Sequence, residues 1–418
     1  MNLGGISLIV LLAAIVIGFW RNLNVGILSL AFAMVLGVIY NIPTKEILSG
    51  FNSSLLIQMA GVTFLFGIIN ENGTLILTAK KMVRLTGKHI MLIPVVMYLI
   101  GAVISGVGPG AIPSLAIMPV VAIPVAMSAG LNPIMLSVIA DLGVMAARMS
   151  PLTPEASVVA DLMEQQGIDG NTVPIMAALA VTTIVIAIVV FIGFKGWRID
   201  PSATNTKEEL QPMRPINGLS IGALAALAVG VLFFHMNVGL MGFAMGSVIL
   251  LFDGDSRKAI KNVPWNVIWM VLGVGLLMNI IELSGGVELL VAALQKVVTR
   301  NSASTVMGLL GGFMSLFSSG LGVVFPTLIP TAGELAQSVS ADAVEICAAI
   351  VIGGTVVGFT PISTTGALIM AGVAQQENNE RFSQNKIFIQ LFVISFVALG
   401  ILAVLSHTGV YDFVLGLF

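Results

Sequence analysis

Gly106-Val107-Gly108-Pro109-Gly110 parts two apolar arms, 90–106 and 111–128, and its reading decides the fold. Three glycines and a proline in five residues cannot continue a helix, since glycine does not hold the helical conformation and proline lacks the N–H and clashes with the preceding turn. The break is either a kink in one long helix or the tip of a re-entrant hairpin that enters and leaves on the same face. Charge separates the two. A hairpin leaves five crossings in this half of the chain, an odd number, and therefore turns the second half over. With the N-terminus outside, the cytoplasmic side then receives Arg21, Lys80, Lys81, Arg84, Lys88, Lys195, Arg198, Lys207, Arg214, Arg257, Lys258, Lys261, Arg381 and Lys386. Only Lys45, Lys296 and Arg300 fall outside, with Arg148 buried in a span. Fourteen against three is a strong positive-inside bias. Counting both arms as full crossings makes six spans per half and scatters the basic loops over both faces.

Composition demands a membrane. Hydrophobic residues make up 57% of 418 and charged residues 9%, more apolar surface than a soluble core can hide. Eighteen Lys and Arg against 20 Asp and Glu give no bulk attraction for nucleic acid. Cys347 is the single cysteine, which excludes an intrachain disulfide and a cysteine metal cage. His89, His235 and His407 stand far apart, so no transition-metal site is expected. H-E-x-x-H, G-x-S-x-G and P-loop patterns are absent, which argues against an enzyme and an ATP-driven pump. The start, Met1-Asn2-Leu3-Gly4-Gly5, lacks the basic region of a signal peptide, so 3–20 reads as a retained span.

The chain resembles itself. Asn24-Val25-Gly26-Ile27 recurs as Asn237-Val238-Gly239-Leu240, and Gly67-Ile68-Ile69 with Asn72-Gly73 as Asn279-Ile280-Ile281 with Ser284-Gly285, both about 212 residues on. Pro119 pairs with Pro330, and Ser150-Pro151-Leu152-Thr153 with Thr360-Pro361-Ile362-Ser363. The expected fold is an all-α polytopic membrane protein of two inverted-topology repeats, each with five transmembrane spans, an interfacial helix, a re-entrant hairpin and one interrupted helix. The first repeat, 1–195, has its hairpin at 90–128 and its interrupted helix at 131–166. The amphipathic stretch Thr74 to Lys88 lies along the interface. A cytoplasmic linker at 196–216 leads to the second repeat, 217–418, with a hairpin at 304–338 and an interrupted helix at 342–370. Trp20, Tyr40, Trp197 and Trp265 sit at span ends, where aromatic belts form.

Breakers concentrate in four places: the two hairpin tips and the two interruptions, Ser150 to Pro154 and Thr360 to Gly366. Irregular backbone at membrane depth survives only where protein or a water-filled cavity covers it, and broken helices at matching positions of two repeats point to a midplane site. Free amides at helix starts suit a carboxylate; unwound carbonyls with Ser and Thr hydroxyls suit a bare cation such as Na+. Asp141 and Arg148 share a helix face, seven apart, and Glu155 follows the break. Arg148 therefore either receives a substrate carboxylate or pairs with Asp141 or Glu155. Glu334, Asp342 and Glu345 read as exposed loop residues around the second hairpin's outer end.

Gly108-Pro109-Gly110, Ile117-Met118-Pro119 and Met149-Ser150-Pro151-Leu152-Thr153-Pro154 resemble the MatC-type malonate and dicarboxylate carriers, relatives of the divalent anion:sodium symporters of the ion transporter superfamily. The resemblance implies a scaffold domain that forms a homodimer and a transport domain that moves by an elevator motion. In the symporters each tip carries Ser-Asn-Thr; here the corresponding positions are Pro109-Gly110-Ala111, preceded by Ser105, and Gly320-Leu321-Gly322, preceded by Ser318 and Ser319, both departing from that triplet. The candidate substrate-binding residues are Pro109, Gly110, Ala111, Arg148, Ser150, Pro151, Thr153, Gly320, Gly322, Thr360, Pro361, Ser363 and Thr364. The candidate cation-binding residues are Ser105, Gly108, Met149, Ser150, Ser318, Ser319, Phe359 and Thr360.

The expected function is cation-coupled symport of a small di- or monocarboxylate such as malonate in a bacterial-type inner membrane, with no cofactor beyond the coupling ion, Na+ before H+. Membrane lipid and a second copy of the chain are the expected partners. The alternative is a cation/proton antiporter or inorganic-anion carrier of the same superfamily, which Asp141 as an obligatory proton carrier would favour. A channel, the third reading, would conduct far faster than a carrier turns over. Cysteines introduced at Ser202 in the linker and at Phe418 test the inversion. An impermeant thiol reagent should reach the first only from the cytoplasmic side and the second only from outside; reaction of both from one side refutes it.

Overall fold

The computed structural model describes residues 3–21, 23–84, 89–108, 110–199, 212–234, 236–294, 296–316, 318–360, 363–374 and 384–418. Pro109, Pro361, Ser202 and the rest of 200–211, His235, Lys88 and Arg381 lie outside them, as does the side chain of Thr364. The secondary structure of the described residues is all helix, without a strand.

The first half runs α1 (Leu3–Arg21), α2 (Val25–Ile39), α3 (Thr44–Ser49), α4 (Ser53–Glu71), α5 (Thr74–Arg84), α6 (Ile93–Gly106), α7 (Ala111–Ala129), α8 (Pro133–Ala146), α9 (Pro154–Gln165) and α10 (Val173–Gly193). The second runs α11 (Pro215–Phe234), α12 (Val238–Leu250), α13 (Ser256–Asn262), α14 (Trp265–Leu283), α15 (Gly286–Leu294), α16 (Ala303–Ser315), α17 (Phe325–Leu328), α18 (Ala332–Val339), α19 (Ala343–Val356), α20 (Thr364–Ala374), α21 (Gln384–His407) and α22 (Val410–Leu415). Among the described residues, five segments are long and apolar enough to cross a membrane: 44–71, 111–129, 173–193, 265–283 and 386–407. Eight more apolar helices are shorter, and together they make this a multi-pass membrane protein. Length alone would let α7 cross, although Pro119 and Pro124 lie inside it.

Equivalent residues start equivalent helices. Asn24 caps α2, its Oδ1 accepting from the amides of Gly26 and Ile27, and Asn237 caps α12 in the same way through Gly239 and Leu240. Each cap satisfies amide donors that the helix itself leaves open. Asn132 does this for α8, and Asp342, expected in an exposed loop, caps α19 by accepting from the Glu345 amide at 2.9 Å.

The helices sort into two packed groups. In one, α2 crosses α14 and α4 crosses α12. In the other, α6, α7 and α10 surround α8, every residue of which is buried, and α16 and α21 flank α19. Glycines set the closest crossings. A methyl group on Gly61 of α4 would overlap the carbonyl oxygen of Gly239 on α12, and one on Gly26 of α2 would overlap that of Trp269 on α14. A methyl on Gly143 of α8 would meet the Tyr98 carbonyl of α6, and one on Gly353 of α19 the Gly308 carbonyl of α16. Lipid offers no hydrophobic drive between helices, so close backbone approach at small residues is how they associate.

Alanine is the better helix former, but at Gly61 its methyl meets backbone that cannot move without separating two helices. Gly61→Ala is therefore expected to destabilise the protein by about 1–3 kcal/mol, the usual cost of overpacking. Gly222→Ala on α11, where a methyl meets nothing within 4 Å, is the control, neutral or stabilising by about 0.4–1 kcal/mol. Thermal unfolding in one detergent compares them; equal midpoints would refute the crossing.

Candidate functional site

The chain between α8 and α9 is tied by one threonine. Thr153 Oγ1 lies 2.6 Å from the Arg148 carbonyl oxygen and 2.8 Å from that of Ser150, and it accepts from the Ala156 amide at 3.2 Å. One hydroxyl thus partners carbonyls freed at the end of α8 and an amide freed at the start of α9. The same knot recurs between α19 and α20. Ser363 Oγ lies 2.6 Å from the carbonyls of both Gly358 and Thr360 and accepts from the Gly366 amide at 3.1 Å.

Each turn also holds a neighbouring helix end. Ser150 Oγ donates to the Gly106 carbonyl at the end of α6 at 2.7 Å. Between α6 and α7, the Gly110 amide donates back to the Ser105 carbonyl, and Gly108 and Gly110 take φ of 143° and 71°, a region open mainly to glycine. In the second half Ser315 Oγ, at the end of α16, donates to the Gly354 carbonyl at 2.9 Å, and Gly320 packs so closely on that carbonyl that a side chain would not fit. A turn of π-helix at Gly320–Val324, with the Ser319 hydroxyl accepting from the Gly322 amide, then leads into α17.

Arg148 joins the halves. Its Nη1 donates to Thr355 Oγ1 of α19 at 3.1 Å, and its guanidinium carbon stands 5.5 Å from the centre of the Phe325 ring in α17, a cation–π contact. Its Nε lies 3.9 Å from Glu155 Oε1, an ion pair too long for a hydrogen bond, and has no hydrogen-bond partner. Glu155, wholly buried at the start of α9, accepts the Ala111 amide of α7 on Oε1 at 2.7 Å. Asp141 does not pair with Arg148: both of its oxygens are buried without a hydrogen-bond partner.

The structure thus gathers Ala111, Gly110, Arg148, Ser150 and Thr153 around α7's start, and Gly320, Thr360 and Ser363 around the second break. Ser105 Oγ and Thr360 Oγ1 are buried and unpartnered, which leaves both hydroxyls open to a ligand. Met149 is buried, its carbonyl taken by Thr172 Oγ1; Phe359 is buried; Pro151 is exposed. Gly322 packs against the Met270 side chain of α14. Ser318 Oγ donates to the Met314 carbonyl at the end of α16, and neither Ser318 nor Ser319 has a hydrogen bond to the first half among the described residues. Sequence reasoning missed Thr355 and Phe325. A lone threonine in an apolar helix and a phenylalanine among other apolar residues carry no local signal of an arginine over 170 positions away.

A cavity of about 570 Å³ opens between α4, α9, α14 and α17. Asn52, Asp161, Gln165, Asn279 and Glu282 line it, and Asn52 Nδ2 donates to Asp161 Oδ2 across it at 3.0 Å. None of the candidate binding residues faces this cavity; its nearest approach along α9 is Val158, one turn beyond Glu155. Asp342 and Glu345 line a second, acidic pocket of about 270 Å³ with Asp169 and Asp412.

Residues 1–148 match the family model described as the dicarboxylate carrier protein MatC N-terminus, a stretch that includes α6, the start of α7 and Arg148 and stops before Ser150. No curated protein matches the chain. Among solved structures, the chain is similar to the YdaH transporter of Alcanivorax borkumensis, described as having an unusual topology, with 16% identity over 90% of this chain and 89% of that one and a TM-score of 0.64. It is also similar to MtrF of Neisseria gonorrhoeae, described as illuminating a class of antimetabolite efflux pumps, with 14% identity over 88% and 84% of the two chains and a TM-score of 0.53. At such identities the likeness is one of fold. The carrier-family match over 1–148 points to a transporter rather than an enzyme.

Substitutions at Ser150 and Thr360, equivalent in sequence, are expected to differ in kind. Ser150→Ala leaves the Gly106 carbonyl unpaired and should cost about 1–3 kcal/mol of stability. Thr360→Val removes a hydroxyl that has no partner, so thermal stability should hold while ligand affinity falls by about 1–2 kcal/mol. Full ligand affinity in Thr360→Val would show that this hydroxyl faces no ligand.

Proposed function

We propose that this chain is a secondary transporter of small carboxylate anions coupled to a cation, Na+ before H+. The carrying observation is the meeting of two broken helices at Arg148, which reaches Thr355 beside the second break while Glu155, across the first, holds the start of α7. Matched hydroxyl knots at Thr153 and Ser363 support a duplicated frame around one site. The family likeness of 1–148 favours a dicarboxylate as the anion. Backbone amides at the glycine tips stand in for side-chain donors in this reading, with Pro109, Gly110, Ala111, Pro151, Gly320, Gly322, Pro361 and Thr364 shaping the anion's seat. In the same reading Ser105, Gly108, Met149, Ser150, Ser318, Ser319, Phe359 and Thr360 form the coupling cation's seat.

The same reading takes the halves as inverted repeats, with both termini outside the inner membrane and the linker inside. Burial of the α6–α7 turn against Phe66 and Glu155 supports a re-entrant hairpin rather than a surface loop. The group built on α2, α4, α12 and α14 is the scaffold and dimer surface. The group built on α8 and α19 is the moving part, and the cavity between α4, α9 and α14 is the outward vestibule of an elevator.

Electrostatics demands the cation. Even one charge at the bilayer centre costs several kcal/mol, and Arg148, already engaged by Glu155, is the sole basic residue at the described breaks. Cation and anion should bind with a reciprocal cooperativity of about 1–3 kcal/mol. In a thermal-shift and calorimetric screen of malonate, succinate and acetate with Na+, K+ or neither, carboxylate affinity should rise at least about fivefold with the coupling cation, and cation affinity by the same factor with carboxylate. Equal binding with no cation, abolished by Arg148→Ala, would make the protein a uniporter or exchanger.

A further inference from the structure

The start of α7 already holds a carboxylate. Glu155 Oε1 accepts the Ala111 amide at 2.7 Å while facing the Arg148 guanidinium, so the side chain occupies the place where helix amides and an arginine converge on negative charge. The remaining geometry is that of a seat partly filled. Arg148 keeps its Nε unpartnered although its side chain is 90% buried, and Glu155 Oε2, also buried, has no partner and lies against Gly110, where any side chain would collide with it. Buried donors and acceptors without partners are rare in native proteins, and a ligand that completes them is one reason they persist.

We propose that Glu155 is a tethered carboxylate that occupies the seat of the substrate's carboxylate at the start of α7 and must take up a proton to vacate it, so that one proton enters the site with each anion. This rests on the carboxylate reading above. Two anions cannot share the Ala111 N–H and Arg148, because like charges at that distance repel strongly in a buried site. A proton from water in the cavity, which approaches to Val158 one turn away, adds to the free Oε2; the neutral carboxyl releases the amide and the guanidinium to the incoming anion. When the anion leaves, the proton returns to water and the carboxylate resumes its place.

Few other charges face Glu155. No titratable residue lies on α7 or on 325–331; α4 carries only Glu71, at its far end and held by Lys258 at 3.2 Å; α8 contributes Asp141, two turns before Arg148; α9 contributes Asp161, bound to Asn52, and Glu164 near its end. On α19 the residue turned to the arginine is Thr355, with Cys347 and Glu345 nearer its start.

Malonate binding to wild type and Glu155→Gln, at constant Na+ from about pH 5.5 to about pH 8, tests this. Wild-type affinity should fall by up to about tenfold more per pH unit than the variant's, and at the alkaline end Glu155→Gln should bind at least about tenfold tighter. The variant's own slope subtracts the titration of malonate. The same affinity and slope in both proteins overturns the proposal, as does weaker binding by the variant at every pH. Hydrogen–deuterium exchange of 106–114 without any anion gives a second readout, corrected for intrinsic rates. Protection should decline in wild type as pH falls and be lost in Glu155→Ala at all pH values; unchanged protection overturns the seat itself. Tip release in wild type together with no carboxylate binding at any pH would instead sink the carboxylate reading and uphold Glu155 as the occupant of the seat.

Discussion

Backbone polar groups inside an apolar layer must have partners, and the rest of this structure depends on that constraint. An unpaired amide or carbonyl in hydrocarbon costs several kcal/mol, and each interrupted helix exposes several at once. The chain meets the cost with short hydroxyls. Thr153 and Ser363 each tie carbonyls three and five residues back and an amide three residues on. Ser150 and Ser315 then bind each turn to its neighbour. With those groups satisfied, the Ala111 amide at the start of α7 stays free to meet the Glu155 carboxylate instead of being lost into a regular helix.

The charges break the symmetry that the hydroxyls keep. Arg148, Glu155 and Asp141 belong to the first half, and the positions 210 residues on are Gly358, Thr365 and Val351. A single arginine therefore serves both halves, reaching Thr355 and Phe325 with one face and Glu155 with the other. A buried pair of this kind is weak evidence for stability, since desolvation offsets the attraction. What it does is place one positive and one negative group between the two breaks.

Among the described residues, the two helix groups meet through few polar bonds. Within the first group, crossings at Gly26 and Gly61 bring backbone against backbone and leave little freedom. Between the groups, the hydrogen bond from Asn52 to Asp161 spans an open, polar cavity. The groups also touch directly, Gly108 packing on Phe66 of α4 and Gly322 on Met270 of α14.

Much of this was legible in the chain itself. Apolar runs and the positions of glycine and proline marked the helices and their interruptions, because helix geometry and the lack of a proline N–H are local properties. The recurrence of Asn24 as Asn237 and of Ser150 as Thr360 was visible for the same reason: a cap or a turn is made by residues a few positions apart. Partner choice across the fold was not. The sequence left Arg148 with Asp141, Glu155 or a substrate as partners, and Asp141 shares its helix face; only tertiary packing turned it to Glu155, Thr355 and Phe325. Likewise the Ser150 hydroxyl bonds to a carbonyl while the Thr360 hydroxyl, in the equivalent position, has no hydrogen-bond partner. Spacing along a chain determines which groups a helix presents, but which of them meet is settled by the packing of helices far apart in sequence, and a buried charge takes whatever partner that packing brings within reach.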